Sequence, residues 1–200
     1  MKFIQQLSPK HWLLPVNLCL ALFFVTQFAP ENWQDFLAFS RSGLAGGDWW
    51  RLITPHFVHL SWQHLAMNSL VLVAFAGLYG SEQRLTLLLL LFLSLTVSAG
   101  LWFNNPGIER YVGFSGVLTG LMVVGAVMTF QKDKLVNLGV LLIILGKVVF
   151  EQWQKQEVIT SAFAGIPTVV DAHLYGAVAG MIYCCLLKFY DHWKLNCSCS

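Results

Sequence analysis

The chain has 200 residues, 56% of them hydrophobic and 11% charged, with a formal net charge of +2 at neutral pH and a mean hydropathy of +0.63. About a quarter of the residues in a soluble domain are charged, so this composition excludes an ordinary soluble fold. The absence of a basic cluster argues against a nucleic-acid partner. The five cysteines (Cys19, Cys184, Cys185, Cys197 and Cys199) are odd in number, three of them in apolar runs and two in the tail, which argues against a disulfide framework.

Taken in chain order, apolar runs predict six transmembrane helices in one domain spanning residues 1–200. They fall at about residues 12–29, 62–80, 85–103, 114–130, 135–150 and 169–189. Each approaches the ~20 residues that a helix needs to cross ~30 Å of hydrocarbon. Alternating ten-residue strands are missing, so a β-barrel is not expected. Lys2 and Lys10 before the first run imitate a signal peptide. That run is too long and lacks a small-residue cleavage site, so it reads as a retained span.

The segment from Pro30 to Ser61 is the one long connection. Trp33, Phe36, Phe39, Trp49, Trp50 and Phe57 thread through it, with Trp62 just beyond, and tryptophans collect at the membrane–water interface. A membrane-associated first outer loop is expected, turned at Gly46-Gly47-Asp48 and anchored by Trp50-Arg51, with Arg51 bonding loop carbonyls. Lys2, Lys10, Arg84, Lys132, Lys134, Lys188 and Lys194 favour a cytoplasmic N-terminus. The longer outer segments hold Arg41, Arg51, Arg110 and Lys155, with Lys147 near a helix end. Glu109, Arg110, Glu151, Lys155 and Glu157 read as solvated surface.

Polar groups inside the apolar runs are costly and call for a function. In that orientation Ser115 and His173 lie about 25 Å and 22 Å above the inner boundary at 1.5 Å per residue. Asn68 lies at about 21 Å, with His64 one turn higher, so four polar side chains on three co-oriented helices share a level. Ser115 stands between Gly113 and Gly116 at the start of a short run after the chain-breaking Asn104-Asn105-Pro106-Gly107. A helix N-terminus there offers free N–H groups to an oxyanion, and the shortness of the run leaves room for water. Gly116 and Gly120 also fit a packing face, and Gly176 and Gly180 beyond His173 would let the two helices press together, bringing Ser115 to the imidazole. His64 and Asn68 share a helix face and suit oxyanion stabilisation. Asp171, two residues before His173, points about 200° away on a helix. It reads as an N-cap, leaving a Ser115–His173 dyad without an acid. His56, His59 and His64 have a spacing that zinc could use, but no H-E-x-x-H and no nearby acid accompany them. Neither a metal nor another cofactor is expected.

In order and spacing, Trp50-Arg51, the run from Thr54 through His59 and His64 to Asn68, Gly113–Gly116, and Ala172-His173 with Gly176 and Gly180 resemble the rhomboid intramembrane serine proteases. The resemblance covers nearly the whole chain. It implies Ser115 as nucleophile, His173 as general base, and an oxyanion site from His64, Asn68 and the Ser115 N–H, with Gly113 beside it. It implies membrane-anchored protein substrates, cut near the outer end of a transmembrane helix. It also implies a bacterial cytoplasmic membrane location, with both termini in the cytoplasm and the site open to the periplasm. The short form is similar to the rhombosortase branch, whose substrates carry a C-terminal Gly-Gly, a hydrophobic helix and a basic cluster. A housekeeping rhomboid protease and a non-catalytic binder of membrane helices are the alternatives. Where many rhomboids carry a tyrosine that stacks on the histidine, this chain has Thr119, which is positioned to orient the ring by a hydrogen bond instead. The Cys197/Cys199 tail has no assigned role.

Overall fold

A computed structural model describes residues 13–80, 86–154 and 169–197. Lys2, Lys10, Arg84, Lys155, Glu157, Cys199, the Cys197 side chain and most of the segment between the fifth and sixth apolar runs lie outside the described residues.

Eight α-helices follow one another among the described residues: α1 (Leu13–Phe28), α2 (Glu31–Leu37), α3 (Arg41–Ala45), α4 (Trp62–Tyr79), α5 (Leu87–Asn104), α6 (Ser115–Met128), α7 (Lys134–Gln154) and α8 (Asp171–Cys197). Six have fourteen residues or more. Helix starts follow ordinary capping chemistry. The Ser61 side chain accepts from the His64 N–H, and the Thr86 side chain from the Leu89 N–H. By length and composition α5, α7 and α8 can cross a membrane, whereas α1 and α6 are shorter apolar helices. Helix α4 has the length, but Gln63, His64 and Asn68 dilute its apolar character.

Helix α6 is the axis of the bundle. It packs against α4, α5, α7 and, most extensively, α8. Its fourteen residues span only about 21 Å, and most of them are buried. Glycines allow this enclosure. A Cβ on Gly125 would stand 2.4 Å from the Tyr79 ring of α4, and one on Gly120 would stand 2.8 Å from the Gly176 carbonyl of α8. The outer helices show the opposite pattern. Leu135, Ile143, Leu145, Val149 and Trp153 on α7 are exposed, as are Leu186 and Phe189 on α8. Apolar side chains facing outward along such helices have lipid as their natural solvent.

The connection from α1 to α4 is structured. It holds α2, α3, two 3-10 turns (Trp49–Leu52 and Thr54–Phe57) and the two-residue strand β1 (Phe39–Ser40). Strand β1 pairs antiparallel with β2 (Arg110–Tyr111), in register Phe39↔Tyr111 and Ser40↔Arg110. This ladder ties the loop to the segment that leads into α6. Arg41 adds a second tie, donating to the carbonyls of Leu101, Trp102, Asn105 and Ile108 at 3.0–3.2 Å and stacking over Trp102. It thereby gathers four carbonyls at and beyond the end of α5, a place where a helix runs short of its own donors.

Candidate active site

Ser115 is the first residue of α6, and the backbone before it is held from three directions. Gly113 sits at φ +126°, a region that favours glycine. Its N–H donates to the Pro55 carbonyl at 2.9 Å, and its own carbonyl accepts from the Tyr111 hydroxyl at 2.8 Å. The His64 ring lies flush against it, so that a Cβ there would stand 2.7 Å from Cε1. Phe114 is fully buried, edge-on to Phe23. The serine hydroxyl therefore leaves a fixed turn at the mouth of a helix.

His173 lies in the first turn of α8. Its Nε2 is 2.9 Å from Ser115 Oγ, with the ring 1% exposed. The approach depends on backbone touching backbone. A Cβ on Gly176 would lie 1.9 Å from the Gly116 carbonyl oxygen, and one on Gly180 would lie 2.7 Å from the Gly120 oxygen. Any side chain at this crossing would push the serine and histidine helices apart.

The far side of the imidazole differs from the expected acid-free dyad. Glu151 Oε2 is 2.9 Å and Lys147 Nζ 2.8 Å from His173 Nδ1, and Lys147 is also ion-paired to Glu151. Glu151 is 1% exposed, not solvated, and Lys147 lies well inside α7 rather than near its end. A charge ends a span only where nothing inside the bundle pairs it, and here Lys147 and His173 pair Glu151. A Lys–Glu pair four residues apart shares a helix face, and in an otherwise apolar helix that spacing was the available signal. Asp171 is the first residue of α8 rather than its cap. It accepts from Asn105 Nδ2 at 2.5 Å and Gln152 Nε2 at 3.0 Å, away from the imidazole.

Thr119 also departs from expectation. Its hydroxyl donates to the Ser115 carbonyl at 2.9 Å and so bonds within its own helix rather than to the histidine. Tyr175 faces α5, where its ring fills the space beside Gly100 and its hydroxyl donates to Asn105 at 2.6 Å.

His64 and Asn68 are buried one turn apart on α4. Both ring nitrogens of His64 and Nδ2 of Asn68 have no hydrogen-bond partner among the described residues. Buried polar atoms are nearly always paired, so the His64 ring beside the serine turn, with Asn68 one helical turn further along α4, is suited to an oxygen that arrives only with a ligand. His59 packs edge-on against His64 at 5.2 Å and against Phe23 at 4.7 Å. His56 Nε2 lies 3.0 Å from both the Ser94 carbonyl and the Ser98 hydroxyl of α5. No group of three or more His, Cys, Asp or Glu suited to a metal occurs among the described residues. Trp50 Nε1 donates to the Phe36 carbonyl at 3.1 Å. Arg51 bonds the Asp35 and Ala38 carbonyls at 2.8 and 2.7 Å and the Asp48 carboxylate at 2.9 Å. Both residues knit the loop together and stand outside the polar centre.

A serine hydroxyl on an imidazole, with unpaired donors nearby, is the arrangement of an activated oxygen nucleophile. Here it is enclosed in a bundle whose outer surface is lipid-grade, which defines an integral membrane protein with a polar centre at the core. The chain belongs to the rhomboid family: the Rhomboid domain profile matches residues 46–189. It is 26% identical over 197 residues to YdcA of Bacillus subtilis (strain 168), which bears a provisional rhomboid protease name, with 93% of this chain and 92% of that one aligned. It is also 31% identical over 158 residues to Rhomboid-like protein 11, chloroplastic, of Arabidopsis thaliana, and 28% identical over 124 residues to the rhomboid protease GluP of Bacillus subtilis (strain 168). These matches take in 74% and 58% of this chain but only 56% and 24% of those longer relatives. At the level of the family, the chain is of the intramembrane protease class.

Proposed function

We propose that the chain is an intramembrane serine endopeptidase, with Ser115 as nucleophile and His173 as general base. The observation that carries this reading is the 2.9 Å contact between Ser115 Oγ and His173 Nε2 in a buried, family-matched bundle. As Oγ bonds to a peptide carbonyl carbon, the carbonyl pair moves onto oxygen and the hydroxyl proton passes to Nε2. The Ser115 N–H at the start of α6, with His64 and Asn68, receives the oxyanion. Collapse of this intermediate breaks the C–N bond, and Nε2 returns the proton to the leaving amine. Water, deprotonated by the same nitrogen, then attacks the acyl carbon, the ester C–O bond breaks, and Nε2 returns the proton to Ser115 Oγ.

The substrates of this reading are membrane-anchored proteins, met where α6 falls short of the bilayer thickness. All six long helices cross the membrane, with both termini in the cytoplasm and the site near the outer, periplasmic face of a bacterial cytoplasmic membrane. The rhombosortase-like substrate, a C-terminal Gly-Gly, hydrophobic helix and basic cluster, is the most specific form of the proposal. The test is co-expression of the full chain with such a reporter, as wild type and as Ser115→Ala. Cleavage by wild type alone is expected. Cleavage persisting in Ser115→Ala removes the serine mechanism. Cleavage by wild type of a generic single-span reporter, but not of the Gly-Gly one, removes the rhombosortase substrate class and leaves a housekeeping rhomboid protease.

A further inference from the structure

We infer that Glu151 is a positioning residue that turns the serine–histidine pair into a Ser115–His173–Glu151 triad, and that Lys147 both holds its charge and competes with it for the same ring nitrogen. The inference rests on the proposed roles of Ser115 and His173. It adds two groups to a site for which the sequence alone gave no acid.

The physical basis is a conflict at a single atom. In the ring plane, Nδ1 of a neutral imidazole has either one N–H or one lone pair. Glu151 Oε2 at 2.9 Å and Lys147 Nζ at 2.8 Å both address it. An ionised carboxylate only accepts and an ammonium only donates, so the two contacts require opposite tautomers. Bonded to Glu151, Nδ1 carries the proton and the Nε2 lone pair faces Ser115 Oγ, as a base must. Bonded to Lys147, Nδ1 accepts, Nε2 carries the proton, and the serine meets an N–H that cannot deprotonate it. Which partner holds Nδ1 therefore decides whether the pair can react.

The surroundings favour the carboxylate. Glu151 and His173 are each 1% exposed on their side chains, whereas that of Lys147 is 24% exposed. Lys147 reaches the other carboxylate oxygen, Oε1, which leaves Oε2 for the ring. A carboxylate alone at this depth would be strongly disfavoured, and the adjacent ammonium offsets its charge. When Nε2 takes the serine proton the ring becomes cationic, and Glu151 stabilises that state while Lys147 opposes it. Among the described residues, the remaining polar neighbours do not compete for Nδ1. Ser115 on α6 sits on Nε2, and Asp171 on α8 itself is engaged by Asn105 and Gln152.

The test uses the full chain in detergent micelles or vesicles, with reporter cleavage, labelling of Ser115 by a fluorophosphonate, and ¹⁵N spectra of the imidazole. Wild type is expected to show protonated Nδ1 and unprotonated Nε2 at neutral pH. Glu151→Gln is expected to lower kcat by up to about 10,000-fold with KM nearly unchanged, as loss of the correct tautomer does in serine triads, while Glu151→Asp recovers at least part of that loss. Adding Lys147→Met to Glu151→Gln should raise the rate above that of Glu151→Gln alone, because the donor that enforces the wrong tautomer is gone. A merely structural role would predict further loss. A Glu151→Gln enzyme with near-normal kcat, or an unprotonated Nδ1 in wild type, overturns the inference. The wild-type spectrum decides the matter even where a variant fails to fold. Absence of both cleavage and labelling in wild type would instead strike the reading of Ser115, which the ¹⁵N assignment does not depend on.

Discussion

The Cα of Gly176 is pressed against the backbone of Gly116 so closely that a methyl group on it would overlap the carbonyl oxygen at 1.9 Å. Neither side can yield by rotating a side chain, because both contacts are main chain. Gly176→Ala therefore separates α6 from α8, and overpacking of this kind costs typically about 1–3 kcal/mol. The same separation lengthens the Ser115–His173 contact, and a misplacement of about 1 Å can cost on the order of 100-fold in rate. Thermal unfolding in detergent, alongside fluorophosphonate labelling of Ser115, should show both losses. Gly139→Ala is the matched control. It lies within α7 with nothing within 4 Å of its added Cβ, so helix propensity predicts a neutral to slightly stabilising change of about 0.5–1 kcal/mol.

His64 and Asn68 should separate stability from turnover. Their donors have no partner among the described residues, so removing them breaks no hydrogen bond there. If they serve the oxyanion, each alanine variant should lose about 100- to 1000-fold in kcat, the usual cost of one such donor. The unfolding midpoint of Asn68→Ala should move little. Parallel measurement of kcat and unfolding is the check. A variant that unfolds early yet retains its specific activity would assign the residue to packing instead.

The main helices could be anticipated because long apolar runs leave the chain few alternatives in lipid. Ser115 and His173 stood out in the sequence for the same reason, as polar groups in costly places. The boundaries and the second layer of the site were harder to read. An apolar window ends α7 at Phe150, just before Glu151, yet the helix continues to Gln154. Glu151 remains buried because Lys147 and His173 satisfy it, and partners contributed by another helix are invisible to a window that reads one segment. Arg41 makes the same point. As an isolated outer charge it signals only topology, whereas in the fold it ties together four carbonyls around the end of α5. The β1–β2 ladder is two residues long on each strand, too short for any alternation to announce it.

The first loop should make stability depend on pH. Burial pushes His56 down from its ordinary 6.5 to about 4, with hydrogen bonds to carbonyls offsetting only part of the effect. His59 falls to about 3, again chiefly from burial, with repulsion from His64 added. Between pH 6.5 and these values the unfolded chain binds protons that the folded chain refuses, so stability rises with pH through that window. The contribution is complete above about pH 6.5 and is lost progressively on acidification. For His56 alone, the difference between pH 7.5 and 4.5 should be about 2–3 kcal/mol. His56→Gln can keep a donor towards the Ser94 carbonyl but cannot titrate. Its unfolding free energy in detergent should therefore fall less steeply than that of wild type as the pH drops from 7.5 to 4.5. Parallel curves for the two proteins would mean that His56 takes up its proton without opening the loop, and that the acid sensitivity of the fold lies elsewhere.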